Sequence, residues 1–360
     1  MHIPDGYLSP STCATLYAGA IAGWYAALKR LKRLLLGRVV PLISVLAAFA
    51  FVVMMFNLPL PGGTTGHAIG VTIAAIVLGP SGAILAISIA LAIQALFFGD
   101  GGITTLGANC FNMAIVGSLV AYASYRLIAA GASIASKRRI AAAAIAGYLA
   151  VNAAAFVAAI EFGIQPLLFH DAAGTPLYAP YPFRVALTAM MIGHLTFAGL
   201  AEAAISAGLV AYLQVADPTL LQSTSGILVS GEDVPAASCT ATNSPRRLWL
   251  AVALLMLLTP LGILAAGQAW SEWSPSEFAR SGSPAQTAAA TTDLTAGIPA
   301  GMQRLANLWT APFPAYAPGF VKSAAFGYLL SAMFGVGFLL SLSLLVQRYL
   351  ERRRATRYSA

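Results

Sequence analysis

Apolar runs of about twenty residues, the length an α-helix needs to cross the hydrocarbon core of a bilayer, recur along this chain and limit what it can become. Bounded by charge, Pro or Gly, they cover roughly 11–29, 39–57, 106–127, 140–161, 184–213, 247–267 and 323–347. Two shorter runs, 67–78 and 83–98, flank the turn sequence Gly79-Pro80-Ser81-Gly82 and read either as two short crossings or as a re-entrant hairpin. In both forms the chain emerges on the side it entered. Only 9% of residues are charged, against about 25% in an ordinary soluble domain. That excludes a soluble globular fold and a disordered chain alike, and predicts an all-α integral membrane protein.

The charges cluster at the ends of the runs. If the runs are true spans, 16 of the 20 basic residues fall on one side: Lys29, Arg30, Lys32, Arg33, Arg38, Arg126, Lys137, Arg138, Arg139, Arg246, Arg247, Arg348, Arg352, Arg353, Arg354 and Arg357. Arg184, Arg280, Arg304 and Lys322 remain on the other. The positive-inside rule then places Met1 outside and Ala360 in the cytoplasm, a parity that nine crossings satisfy. Met1 to Pro10 contain no positive n-region, and a cationic cluster rather than a small-residue cleavage site ends the first run. The N-terminus is therefore expected to stay on the mature protein. Cys13, Cys110 and Cys239 are odd in number and far apart, so neither a disulfide framework nor a thiolate metal site is suggested.

The organisation reads as bipartite. Residues 1–215 form a seven-helix module, 216–246 a polar cytoplasmic linker, and 247–360 a two-helix module around an outside loop, 268–321. Trp270, Trp273 and Trp309 of that loop are candidate interface anchors.

The chain begins Met1-His2-Ile3-Pro4-Asp5-Gly6. A free amine, the next amide nitrogen and the imidazole of residue two can close five- and six-membered chelate rings around one ion once the amine and amide lose protons. The bulk of His2 normally blocks removal of the initiator Met, so Met1 supplies the amine. Three nitrogens fixed in a plane suit Ni(II) or Cu(II) and do not suit Mg or Ca. Pro4 and Asp5-Gly6 turn the tail sharply, which lets it fold back. A fourth nitrogen is available from His67, at the end of the Gly-rich outside loop 57–67. The same residues also fit a disordered terminus and a surface or helix-capping histidine.

Other features leave alternatives open. His194 and Glu202 are eight residues apart on one expected helix, about two turns, and share a face. Ionisable groups within a membrane mark pathways or paired networks, but a His and a Glu bonded to nearby hydroxyls or backbone fit as well. His170 lies in an outside loop with no assigned role. Ala14, Ala18, Ala22 and Ala26 recur every four residues beside Gly19 and Gly23, a spacing that lets helices approach closely in lipid, within the chain or across to a partner. There is no Gly-x-x-x-x-Gly-Lys-Ser/Thr loop, no His-Glu-x-x-His and no Gly-x-Ser-x-Gly, so an enzyme is the weaker class.

Met1-His2-Ile3-Pro4-Asp5-Gly6-Tyr7-Leu8-Ser9 resembles the N-terminal signature of the CbiM/NikM family, the metal-capturing membrane (S) components of energy-coupling-factor transporters for cobalt and nickel. Gly62 to Gly70, with Gly66-His67, is similar to the family's second motif, and Phe98 to Asn109 to a third. His194 and Glu202-Ala203 fall where the family has a His and a Glu-Ala pair on its last helix. The resemblance covers roughly residues 1–215. It implies Met1, His2 and His67 as metal ligands, with Asn109, His194 and Glu202 around them or along a pathway.

It further implies Ni(II) or Co(II) as transported substrate, no organic cofactor, and a plasma membrane location. The implied partners are a membrane coupling subunit, met through the alanine stripe, and cytoplasmic ATPases that account for the absent phosphate loop. Residues 247–347 look like the family's small accessory subunit fused to the capture component. Ile298-Pro299-Ala300-Gly301-Met302 and Ala311 to Tyr316 are loosely similar to its nickel-type pattern, with Ala300 where an acidic residue is usual. A planar nitrogen set favours nickel over cobalt. The alternative function is a stand-alone secondary transition-metal transporter.

Overall fold

The computed structural model describes residues 1–31, 39–60, 64–224, 244–264 and 298–358. These are mostly helical: α1 (Pro10–Leu31), α2 (Val39–Met54), α3 (Val71–Phe98), α4 (Leu106–Ile128), α5 (Lys137–Leu168), α6 (Phe183–Ala216), α7 (Ser244–Leu258), the short α8 (Ala300–Leu305) and α9 (Ala324–Tyr358). The expected helical class carries one small addition. A small antiparallel hairpin, β1 (Leu58–Leu60) and β2 (Thr64–Gly66), pairs Leu58 with Gly66 immediately before His67. The prolines and glycines of 59–66 suit a reversal better than a helix.

Five stretches are long and apolar enough to cross a membrane, namely α3, α4, α5, α6 and Ala324–Leu350 of α9. The expected runs at 39–57 and 247–267 are helical but shorter, as Val39–Met54 and Trp249–Ile263, and the run at 11–29 is helical but more polar. Most of the expected linker and much of the 268–321 loop, with Trp270 and Trp273, lie outside the described residues.

α3 settles how 67–98 runs. Its 28 residues would reach about 42 Å if straight. Yet a Cβ at Gly70 would touch Phe49 and stand 3.7 Å from Ala50, while Phe98 meets Phe51 at 5.5 Å between ring centroids. Both ends therefore lie beside adjacent residues of α2, and the helix must fold back. It does so at Gly79, whose φ of 71° and ψ of 173° leave the helical region just before Pro80. That backbone state is open to glycine and strained for other residues.

Packing follows small side chains. Ala142, Ala143, Ala146, Ala150, Ala154, Ala155, Ala158 and Ala159 are all buried along α5, which packs against α4 and α6. In lipid the gain from such contacts is van der Waals, because the tails are as apolar as the helices. α9 closes on α2. The cations gather at one end: Lys29 and Arg30 finish α1, Arg126 finishes α4, and Arg139 at the start of α5 is wholly buried, bonded to Ala132 O and the Tyr125 hydroxyl. The tail, His67 and α8 lie at the other end.

Candidate metal centre

The tail is folded inward. Met1, His2 and His67 are 3%, 1% and 5% exposed. Ile3 is gripped like a strand: its N–H donates to Asn109 Oδ1 at 2.8 Å, and its carbonyl accepts from Asn109 Nδ2 at 3.1 Å, Gly102 N at 3.0 Å and the Thr105 hydroxyl. The Asp5 carboxylate takes the N–H groups of Ile103 (3.1 Å) and Thr104 (2.7 Å) together with the Thr104 hydroxyl. Gly102 is required by this approach, since a Cβ there would stand 2.3 Å from Asp5 Oδ1. Beyond the expected turn, Ala179 N donates to Tyr7 O at 2.9 Å and Ser9 N to Gln165 Oε1 at 2.9 Å. The Ser9 hydroxyl then accepts from Thr12 N and caps α1.

This brings the two predicted imidazoles together. His67 Nε2 is 3.2 Å from His2 Nδ1, with the rings stacked at 4.8 Å. His67 Nδ1 lies 3.0 Å from the Ala68 carbonyl, which only accepts, so Nδ1 carries the proton and Nε2 offers its lone pair. Two nitrogens at right angles about one ion, each about 2.0–2.1 Å from it, stand about 2.9 Å apart. The observed spacing is a few tenths wider.

Burial, then the nearby His2 and amino terminus, hold His67 well below the ordinary imidazole range, so it is neutral and ready to ligate at neutral pH. Among the described residues no three His, Cys, Asp or Glu side chains form a metal-holding group. A four-nitrogen set at this place must therefore draw on the Met1 amine and the His2 amide.

The other predicted residues converge on this end. The Met1 amine couples electrostatically to both His67 and His194. His194 Nδ1 bonds Met190 O at 2.7 Å, and its buried Nε2 has no hydrogen-bond partner among the described residues. The Glu202 carboxylate accepts from Ile69 N and Gly70 N at 2.8 Å each and from Thr72 N at 3.3 Å. It thus caps α3 and fixes the backbone that follows His67. A π-helical turn at 194–198 absorbs one residue, so eight positions span two turns and both side chains reach the same side. Similar π segments start at Gln94 and Cys110, each beside a residue of this cluster.

His170 is exposed and bonds only locally, through Asp171 O. Ala14, Ala18, Ala22 and Ala26 are all exposed, whereas Gly19 and Gly23 pack on Phe111 and Ile115 within the chain.

Sequence reasoning missed Asp100 as a member of the cluster. Its Oδ1 is 2.9 Å from His2 Nδ1, and Oδ2 accepts from the Tyr316 hydroxyl at 2.5 Å and Gln94 Nε2 at 3.2 Å. Burial raises this carboxyl, but the adjacent His2 outweighs it and holds the group well below the usual carboxylate range. The signal was present as Asp100 inside the third motif, next to two glycines. Tyr316 ends the segment 311–316 that is loosely similar to the accessory pattern, but nothing in the sequence ties it to Asp100. Its phenol is raised well above normal by burial and by Asp100, so it remains a donor. Ala315 and Tyr316 both have positive φ, 51° and 59°, each a strain of about 1–3 kcal/mol that surrounding contacts must impose.

Residues 2–220 match the family described as the cobalt uptake substrate-specific transmembrane region, CbiM. The chain belongs to the CbiM family. Among relatives, the fused nickel transport protein NikMN of Rhodobacter capsulatus is 52% identical over 95% of both chains. The probable fused nickel transport protein LarMN of Lactiplantibacillus plantarum is 42% identical over 77% of this chain and 79% of its own. A crystal structure of a truncated transition metal transporter is 51% identical, with a TM-score of 0.56 over 59% of this chain and 98% of that one. Together with the apolar helices, membership of the CbiM family makes this a multi-pass membrane protein.

Proposed function

We propose that the chain is the metal-capturing component of an ATP-driven energy-coupling-factor importer for a divalent transition metal, nickel in preference to cobalt. The observation that carries the reading is the burial of Met1-His2 with the His2 and His67 nitrogens 3.2 Å apart. The substrate ion takes the Met1 amine, the His2 amide and the two imidazoles. A planar nitrogen set supports nickel, as do the nickel names of the fused relatives. The cation-rich end is cytoplasmic and the metal end outside. Residues 247–360 act as the accessory module, and ATP hydrolysis belongs to separate subunits.

The direct test is an equilibrium nickel titration of the full-length protein with its native N-terminus. His2→Ala and His67→Ala each remove a nitrogen and should weaken binding by more than the about 10–100-fold typical of losing a group that merely supports a ligand. His170→Ala should leave affinity unchanged. A His170→Ala loss as large as that of His67→Ala would move the site elsewhere. Uptake by this chain alone, driven by an ion gradient, would overturn the ATP-driven reading.

The stripe gives a second test. Its alanines face outward, so Ala22→Leu should impair pull-down of the coupling subunit and uptake while leaving nickel affinity intact. Equal loss of both would indicate misfolding rather than a contact surface.

A third concerns pH. Metal and protons compete for the same nitrogens, so affinity should fall as pH is lowered from 8 to 5.5. Burial, His2 and the amino terminus hold His67 below the ordinary imidazole range, so it contributes less to this competition than a free imidazole would. The His2 amide and the remaining donors contribute the rest, and more than one proton per ion is expected. Calorimetry in buffers of different ionisation enthalpy counts them; flat affinity over the range would exclude the nitrogen site.

A further inference from the structure

The negative charge nearest His2 is held by a residue 216 positions away in sequence. Asp100 Oδ1 faces His2 Nδ1 at 2.9 Å, and its other oxygen is held by the Tyr316 hydroxyl at 2.5 Å. Gln94 Nε2 bridges the same two groups, 2.9 Å from the Tyr316 oxygen and 3.2 Å from Asp100 Oδ2. The Tyr316 ring is fixed separately, stacked on Phe98 at 4.8 Å and beside Phe51 and Tyr328.

We propose that Tyr316 is a positioning residue for metal capture, whose hydroxyl aims the Asp100 carboxylate as the counter-charge to the ion held by His2 and His67. This rests on the metal site proposed above. The charge count gives the reason. A divalent ion with one ionised amide, a neutral amine and two neutral imidazoles carries a net charge of +1, and an isolated charge is strongly disfavoured in a buried pocket. Asp100 brings the sum to zero.

With the ion on the Nδ1 lone pair, a neutral His2 carries its single proton on Nε2, and Asp100 Oδ1 no longer faces an N–H there. The carboxylate then faces the ion only if its other oxygen stays anchored. Gln94 alone cannot do this as firmly, because its amide is shared and stands farther off. The residue that carries this hydroxyl and the one before it, Tyr316 and Ala315, both have left-handed backbone. The C-terminal segment thereby contributes to the capture site although it supplies no ligand.

The experiment compares Ni(II) affinity of the full-length protein, native N-terminus kept, with Tyr316→Phe, Asp100→Asn and the double variant, by competition with a chelator of known affinity. Tyr316→Phe keeps the stacked ring and removes only the hydroxyl. It should weaken Ni(II) about tenfold or more, the size expected for a lost hydrogen bond to a charged group. In the Asp100→Asn background the same change should have little further effect, because the charge it positions is gone. Electron paramagnetic resonance of the Cu(II)-loaded variants should show the same in-plane nitrogen set as wild type. Wild-type affinity in Tyr316→Phe overturns the proposal, and so does a Tyr316→Phe loss that persists undiminished with Asn at 100, which would mean packing alone. If wild type binds no nickel, or His67→Ala binds as wild type, the metal site itself is misplaced and this proposal falls with it.

Discussion

A single residue added before Met1, or an acetyl group on its amine, is expected to abolish nickel binding while leaving the helices folded. The amine enters the chelate only if it is free and one residue from His2. An extension turns it into an amide and shifts the charged terminus to a place with no room, since Met1 is 3% and His2 1% exposed. With the amine acetylated, the His2 amide also loses the chelate ring through which an ion displaces its proton, so two of the four nitrogens are compromised at once. The loss should reach a factor on the order of a thousand, equivalent to about 4 kcal/mol. A C-terminally tagged protein serves as the control for expression and assembly. Full affinity in an N-terminally tagged protein would show that the amine is not a ligand.

Glu202→Ala is expected to be the most damaging side-chain truncation for stability. Its carboxylate receives Ile69, Gly70 and Thr72 N–H groups at the first turn of α3, where a helix leaves donors unpaired and favours a negative charge. Truncation leaves those donors buried without an acceptor, and unfolding free energy should fall by about 3–5 kcal/mol. Because His67 is joined to Ile69 through one residue, nickel affinity should fall as well. Glu202→Gln keeps one acceptor oxygen and should lie between wild type and alanine. Thermal unfolding in detergent, followed together with nickel binding, reads both effects. An alanine variant that melts and binds as wild type would remove Glu202 from the support of the His67 loop.

The meeting of Met1, His2 and His67 was legible where the residues are local in sequence. Met1 and His2 are adjacent, and the glycine-rich approach to His67 places it beside another segment, so spacing and topology alone brought them to one side. The turn at Gly79-Pro80 was also legible, and α3 does return to the end from which it starts. Asp100 and Tyr316 were harder because their pairing spans 216 residues and has no periodicity. Glu202 was visible as an ionisable group within a helix, but its partners are backbone amides, which no sequence pattern displays. The π turns that orient Gln94 and His194 leave no trace in composition. The hairpin at 58–66 was hidden because strands this short carry too few residues to show alternation.

The fold-back of α3 makes the site mechanically sensitive in a way that a straight helix would not be. His67 precedes one arm and Asp100 follows the other, while the joint at Gly79 lies apart from both. The longer arm, 80–98, is about 28 Å, so five degrees of opening at the joint moves its tip by about 2.5 Å. That displacement exceeds the spacing tolerance of any ion–nitrogen bond. Leverage applied at a single glycine, remote from every donor atom, is enough to separate the two walls between which the ion would rest.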